Sequence, residues 1–335
     1  MDGAVGFSVL GAGRIAGKTA LAARHLAERG ALRLRAVGAR DAGRAAEFAA
    51  AHGFEKPFGS YGELLADPET ELVYVATPNS LHAGHARECL LAGKHVLCEK
   101  PFATTEREAA EVFALARERG LFCGEAMWTR FQPSWRAVRE IAASGRIGEP
   151  RLVEASFAVP VSGKARLADP ALGGGALLDL GVYPLAFAIS VFGENPVRVS
   201  GHASVTQGGV DDQSSFSLEW EGGRFAALSC SMTAAGGARA RLVGTEGYVE
   251  LPELVRCETL RVVRHPGTVL ETLRFPFPCN GYEYEFEAAA AAVRAGLAEC
   301  PEAPQSATLA ALRAMDALRA SWGVRFPADG AAAAL

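Results

Sequence analysis

The sequence predicts an α/β protein in which an amino-terminal, doubly wound parallel sheet is followed by a carboxy-terminal α+β domain with a large, open, mostly antiparallel sheet. Three observations carry this prediction. Residues 7–16, Phe-Ser-Val-Leu-Gly-Ala-Gly-Arg-Ile-Ala, form an apolar run that stops in glycines and opens an alanine-rich helical stretch. Strand-like and helix-like segments then alternate as far as Ala126, the signature of parallel βαβ units. From Arg151 onward the period is two: Phe216, Leu218 and Trp220 point one way and Ser215, Ser217 and Glu219 the other, as in an antiparallel sheet with one polar face.

The first element is a strand ending in a dinucleotide-binding turn. Gly11 lets the chain turn sharply, Gly13 has no Cβ to obstruct a pyrophosphate, and Ala16 is small enough for the helix to pack closely on the strand. The unpaired N–H groups and positive dipole end of the helix that begins at Arg14 and Ile15 then attract the phosphates. Further strands are expected at 32–37, 72–76, 95–97 and 121–126, with helices at 42–51, 81–91 and 106–119 between them. In the second domain strands are expected at 152–159, 196–205, 225–232, 239–243 and 260–263, bounded by Gly, Pro or charged turns. Helical patterns at 282–297 and 306–322 close the chain, and residues 328–335 are expected to fray.

With 335 residues, two domains are expected at about 150 residues each. We place them at 1–125 and 126–327, with the helix at 306–322 packing back on the first domain. The composition, 49% hydrophobic and 21% charged, suits a buried core, and the formal net charge of -4 argues against nucleic acid or an anionic membrane as the main partner. Seven scattered cysteines form neither a disulfide framework nor a metal-ligand set, and the histidines form none either, so no metal is expected. No signal-type segment and no apolar run of about 18 residues is apparent, which leads us to expect a soluble, cytoplasmic protein.

Further motifs carry a resemblance. Thr77-Pro78-Asn79 with His82, Cys98-Glu99-Lys100-Pro101, and the run Gly174 to Tyr183, Gly-Gly-Ala-Leu-Leu-Asp-Leu-Gly-Val-Tyr, resemble the Gfo/Idh/MocA oxidoreductases through nearly the whole chain. Residues 125–133, Glu-Ala-Met-Trp-Thr-Arg-Phe-Gln-Pro, and Tyr rather than His at 183 are similar to the branch containing dimeric dihydrodiol dehydrogenase and NADP-linked sugar dehydrogenases. The resemblance implies a Rossmann domain, a nicotinamide cofactor lined by Thr77, Pro78, Asn79, His82 and Glu99, and Trp128 and Arg130 at the nicotinamide and substrate. Taken alone, His82 reads as a surface residue at a helix start and Trp128 as a packing residue.

Lys100, at the carboxyl end of a parallel strand, is one of only five lysines among 34 Lys and Arg residues. An ammonium whose pKa can shift, which a guanidinium cannot supply, suits catalysis there. Tyr183 is read with it as an acid–base unit, because a phenol with a pKa of about 10 works near neutrality only beside a cation. Hydride transfer from a carbinol needs this proton partner. Asp179, four residues before Tyr183, orients substrate or phenol, or caps the helix that follows the glycines. This unit forms only when the two domains pack together.

For the cofactor, an NAD-specific site places Asp or Glu at the end of the second strand, whereas this chain has Val37-Gly38-Ala39-Arg40. Arg40 is suited to a 2'-phosphate, and NADP is expected over NAD; Asp41 would take the acidic role if the strand ended one residue later. The expected activity is hydride transfer between nicotinamide and a carbinol or carbonyl of a sugar, polyol or cyclic diol. The alternatives are a cofactor-retaining glycoside-cleaving enzyme and a non-catalytic dinucleotide sensor. A homodimer or higher homo-oligomer is expected, because the helices are too few to cover both faces of the second sheet.

Overall fold

Every residue of the first strand, β1 (Val5–Leu10), is buried, as a strand covered on both faces requires. It leads into α1 (Arg14–Glu28), whose Ala16, Ala20, Ala22, Ala23 and Leu26 form the buried stripe. There follow β2 (Leu32–Gly38), α2 (Ala42–His52), β3 (Lys56–Phe58), α3 (Tyr61–Ala66), β4 (Leu72–Val75), α4 (His82–Leu91), β5 (His95–Glu99), α5 (Glu106–Arg119) and β6 (Cys123–Ala126). All six strands pair in parallel, in the order β3-β2-β1-β4-β5-β6. Because β1 lies between β2 and β4, the chain reverses its winding there, and the carboxyl ends of these strands open the crevice where α/β sheets bind ligands. The short pair β3 and α3 is not foreshadowed by periodicity, since three residues with a central proline give no pattern.

The second sheet is built from β7 (Pro150–Ala158), β8 (Arg198–Val205), β9 (Asp211–Trp220), β10 (Arg224–Ser231), β11 (Gly237–Gly244), β12 (Gly247–Leu251), β13 (Thr259–Arg264) and β14 (Thr268–Arg274). Its order is β14-β13-β12-β11-β7-β10-β9-β8, and every pair is antiparallel except β7 with β10. The eight strands exceed the expected set by β12 and β14, which are short or largely exposed. The helices of this region are α6 (Pro133–Ala143), α7 (Ala165–Ala168) and α8 (Val182–Phe192). Pro133 at the first turn of α6 is a start signal that the periodicity reading passed over. Phe216, Leu218 and Trp220 are buried, as alternation requires. The opposite face of the sheet is exposed and largely polar, carrying Glu154, Arg239 and Arg241 with Phe225 and Ala227, so the uncovered face is not the apolar one.

Two helices close the chain, α9 (Glu283–Arg294) and α10 (Gln305–Trp322). The computed structural model describes residues 3–330 and separates into two units. The first holds 1–103, 107–128 and 277–305; the second holds 104–106, 129–276 and 306–335. The carboxy-terminal exchange therefore differs from the expected one: α9 counts with the first unit, and all of α10 beyond Gln305 with the second. Phe286 of α9 packs on Phe7 and Tyr74 at ring-centroid distances of 5.0 and 5.1 Å, roofing one face of the parallel sheet.

Two expectations need correction. Within residues 170–192 the most apolar 18 residues have a mean hydropathy of 1.7, enough by length and composition to cross a membrane, although 83% of them are buried inside the molecule. Residues 327–330 are not frayed: the Asp329 carboxylate accepts from the Arg319 guanidinium at 2.8 Å and from the Phe326 amide at 2.7 Å. The rest of the tail, 331–335, lies outside the described residues.

Candidate active site

The glycine turn has the form a dinucleotide requires. Gly11 adopts φ +106°, and a Cβ there would stand 2.9 Å from the Ala76 carbonyl oxygen, so only glycine serves. Gly13 is the N-cap of α1 in extended conformation, and no side chain caps the helix. The first turn of α1 thus keeps its N–H groups for a ligand, and no acidic residue stands in that turn to repel an anion. A Cβ at Gly13 would meet only the Ala76 carbonyl, at 3.6 Å, so the space above the turn is open. Arg14 is exposed and Ile15 half-buried at the mouth. A residue the sequence did not single out, Arg44, donates from Nε to the Ala12 carbonyl at 3.0 Å, tying α2 to the turn. Its signal was its place one helical turn beyond Arg40.

At the end of β2, Ala39 is buried and its amide donates to the Phe58 carbonyl at 3.1 Å. Arg40 is exposed. The Asp41 carboxylate accepts from the Arg44 amide at 2.7 Å and is the N-cap of α2. The one nearby acid is therefore engaged as a cap, in extended backbone conformation.

The loops after β4 and β5 are joined through His82. Its Nδ1 lies 2.7 Å from the Pro101 carbonyl and its Nε2 lies 2.8 Å from the Thr77 carbonyl. Burial lowers its pKa to about 4 despite these two acceptors, so at neutral pH the ring carries one N–H and donates to one carbonyl at a time. His82 is thus a buried brace of these loops and not a surface residue. Thr77 Oγ1 lies 3.0 Å from His85 Nδ1, Pro78 precedes the turn that holds buried Asn79, and His85 stacks edge-on to Tyr61 at 5.0 Å.

Lys100 is half-buried and precedes a cis peptide to Pro101. Carboxylates grip the backbone on either side of this peptide: Glu99 accepts from the Lys100 amide at 3.1 Å, and Glu125 accepts from the Phe102 amide at 3.0 Å. The other oxygen of Glu99 accepts a short hydrogen bond from the Tyr74 hydroxyl. Burial raises the Glu99 pKa, opposed by the Tyr74 hydrogen bond and by Lys100. Burial and the neighbouring Glu99 and Glu125 raise that of Glu285, which lies fully buried on α9. Of these residues the sequence singled out Lys100 and Glu99 as site residues, and Glu125 only as the first residue of the motif at 125–133. Glu285 carries no signal beyond an acid in an apolar context.

Trp128, in a short 3-10 turn spanning Trp128–Phe131, stacks on Tyr282 at 4.3 Å with an interplanar angle of 21°, and meets Phe277 edge-on at 6.5 Å. Gly281 is required beside it, because a Cβ there would stand 2.7 Å from the indole. Glu283 holds this segment by accepting from the amides of Cys279, Asn280 and Gly281. Arg130 is buried in the same turn and counts with the second unit.

Within the second unit, Asp179 and Tyr183 follow the glycines, but the helix does not start as an α-helix. Residues Leu177–Gly181 form a π-helical turn that runs into α8, the kind of insertion that concentrates at functional sites. Asp179 lies inside this turn and is not its cap; the one-face relation of residues four apart in a regular α-helix does not carry over unchanged. Asp179 Oδ1 accepts from the Arg166 guanidinium at 2.9 Å, a partner absent from the sequence reading. Tyr183 is 8% exposed and packs edge-on to Phe157 at 5.6 Å. The structure thus gathers Gly11, Gly13, Thr77, His82, Glu99 and Lys100 in one unit, and Asp179 and Tyr183 in the other.

Comparison with known proteins agrees with this architecture. Residues 5–126 match the oxidoreductase family with an NAD-binding Rossmann fold, and residues 135–250 match the GFO/IDH/MocA C-terminal domain. Among curated proteins, trans-1,2-dihydrobenzene-1,2-diol dehydrogenase of Macaca fuscata fuscata is 40% identical over 304 residues, covering 88% of this chain and 90% of the relative. Among solved structures, a 3-ketoreductase from Actinomadura kijaniata in complex with NADP and TDP-benzene superposes with TM-score 0.82 at 28% identity, covering 95% of this chain and 97% of the other. Structures of that reductase include variants with a lysine replaced by alanine or glutamate and a tyrosine replaced by phenylalanine. An aldose-aldose oxidoreductase from Caulobacter crescentus complexed with glycerol superposes with TM-score 0.84 at 26% identity, covering 94% and 96% of the two chains.

Proposed function

The chain belongs to the Gfo/Idh/MocA oxidoreductase family, and from that premise we propose that it is an NADP-dependent dehydrogenase or reductase acting on a carbinol or carbonyl of a sugar, polyol or cyclic diol. The observation that carries this reading is the uncapped start of α1 at Gly13, whose N–H groups are left to a ligand of high negative charge. NADP over NAD is supported by three adjacent residues: Ala39 offers no carboxylate to a ribose 2'-hydroxyl, Asp41 is committed to the Arg44 amide, and exposed Arg40 can pair with a phosphate. The relatives that bind NADP or act on diols and aldoses support the substrate class.

The nicotinamide, when bound, supplies the hydride chemistry. Gly11, Gly13, Arg14 and Ile15 would hold the pyrophosphate of the dinucleotide, Thr77, Pro78, Asn79, His82 and Glu99 would line the cofactor, and Trp128 and Arg130 would flank the nicotinamide and substrate. Tyr183 exchanges the proton of the substrate oxygen, Lys100 stabilises its phenolate form, and Asp179 accepts a hydrogen bond from a substrate hydroxyl. Tyr183→Phe is expected to lower kcat by ~10²- to 10⁴-fold with NADP binding unchanged. Lys100→Met does similar damage, and the double variant is little worse than either, because groups acting as a unit are not additive. Turnover is measured as nicotinamide absorbance with trans-diols, aldoses and polyols; wild-type kcat in Tyr183→Phe on an accepted substrate overturns the acid–base assignment.

We place the enzyme in the cytoplasm, as a dimer that pairs two copies of the exposed sheet face bearing Glu154, Phe225 and Arg241. Opposite charges on one surface suit a two-fold interface in which each copy supplies both partners. Solution scattering at micromolar concentration should give twice the chain mass, and a monomer mass would exclude the dimer.

A further inference from the structure

We propose that Asp211 is a positioning residue for catalysis: buried beneath the turn of residues 175–181, it anchors the Leu177 amide and thereby sets where Asp179 and Tyr183 stand. The inference rests on the reading of Asp179 and Tyr183 as catalytic groups.

Asp211 is the first residue of β9 and is fully buried. Its Oδ2 accepts from the Leu177 amide at 2.7 Å, the first residue of the π-helical turn. Its Oδ1 has no hydrogen-bond partner among the described residues and faces Gly175. Gly175 has φ +107°, and any Cβ there would overlap that oxygen. At the other end of the turn, a Cβ at Gly181 would stand 3.0 Å from Cys230 Sγ on β10. The glycines at 175 and 181 therefore bring the turn's backbone down onto the carboxylate and the sheet.

A buried carboxylate with one bare oxygen is a costly way to cap a helix, since an unsatisfied buried acceptor loses its hydration without compensation. A stability role alone is better served by a neutral cap. What the carboxylate supplies is a strong, directional bond to one amide, at the point where the backbone departs from α-geometry two residues before Asp179. Any drift there displaces Asp179 and Tyr183, and misplacement of about 1 Å can cost ~10²-fold in rate.

The anchor also titrates. The charged and titratable groups around it are Asp212 on its own strand, Cys230 on β10 and Arg319 on α10. Burial pushes Asp211 up to about 6, opposed by the Leu177 amide, by its own backbone amide and by Arg319, and reinforced by Asp212. Protonation below that pH weakens the bond to Leu177, so turnover should fall on the acid side while the fold persists.

The test is Asp211→Asn, the same size without the charge, studied as the full-length enzyme with NADP. Three results are expected: kcat lower by ~10-fold or more, loss of the acid limb near pH 6 from the kcat profile, and faster amide exchange confined to residues 175–183. NADP affinity should stay within about 2-fold, because the glycine turn of α1 is untouched. Wild-type enzyme supplies a check that needs no substitution: after correction for intrinsic chemistry, Leu177 exchange should accelerate below about pH 6. Unchanged exchange in both experiments overturns the anchor. Faster exchange with wild-type kcat in Asp211→Asn also overturns the positioning role; if Tyr183→Phe is fully active too, the fault lies in the catalytic reading on which it rests.

Discussion

Two helices in this protein start from glycines, and they use them in opposite ways. At α1, Gly13 is an uncapped, extended N-cap, and the amides beyond it point at open space. At the π-helical turn before α8, Gly174 and Gly175 precede amides that face inward, and the Asp211 carboxylate takes the first of them. In one place the absent Cβ admits a ligand; in the other it admits the protein's own strand. A glycine pair before a helix therefore says that something comes close to the backbone, and the occupant is decided by whether the fold supplies its own anion.

That contrast can be broken by giving the first helix what the second has. Gly13→Asp places a carboxylate at the N-cap of α1, where it can accept from the amides intended for phosphate. NADP affinity should weaken by ~100-fold or more, because like charges then compete for one site, while thermal stability holds. Retained affinity by fluorescence titration would mean that the amides of α1 are not the anion site.

A smaller effect sharpens the same comparison at the next strand end, where Asp41 already serves α2 as a cap. Arg40→Ser should reduce the preference for NADP over NAD by ~10- to 100-fold, the equivalent of about 1.5–3 kcal/mol for a charge-assisted hydrogen bond. The ratio of kcat/KM values for the two cofactors is the measurement; a wild-type enzyme that favours NAD, or an unchanged ratio in the variant, removes Arg40 from cofactor choice.

What was legible in the sequence follows from how local each signal is. The glycine turn, the parallel strands and the alternation of β9 are written in consecutive residues; the structure reproduces the turn and the parallel strands within a residue or two and extends β9 four residues further towards its start. Strands β3, β12 and β14 were not legible, because three to seven residues with one exposed face leave no period to detect. The motifs name candidate site residues one at a time, but not the residues that hold them. Arg166 stands 13 residues from Asp179 and Asp211 34 residues from Leu177, and no local period links either pair. The π-helical turn at Leu177–Gly181 is not legible either, since one extra residue in a turn leaves the apolar pattern of a helix start in place.

The roof of the parallel sheet has a consequence for biosynthesis. Phe286 covers Phe7 and Tyr74, and the Gln305 side chain reaches back to the Cys123 carbonyl at 3.0 Å. The ribosome delivers Phe286 and Gln305 160 and 179 residues after Ala126, the end of the last parallel strand of the first sheet, with the whole second sheet synthesised in between. Until then the nascent nucleotide-binding unit carries an aromatic face with nothing to cover it. A fragment ending at Trp128 would keep that face bare permanently, so the cofactor domain, though its strands come early in the sequence, is among the last parts of the protein to be finished.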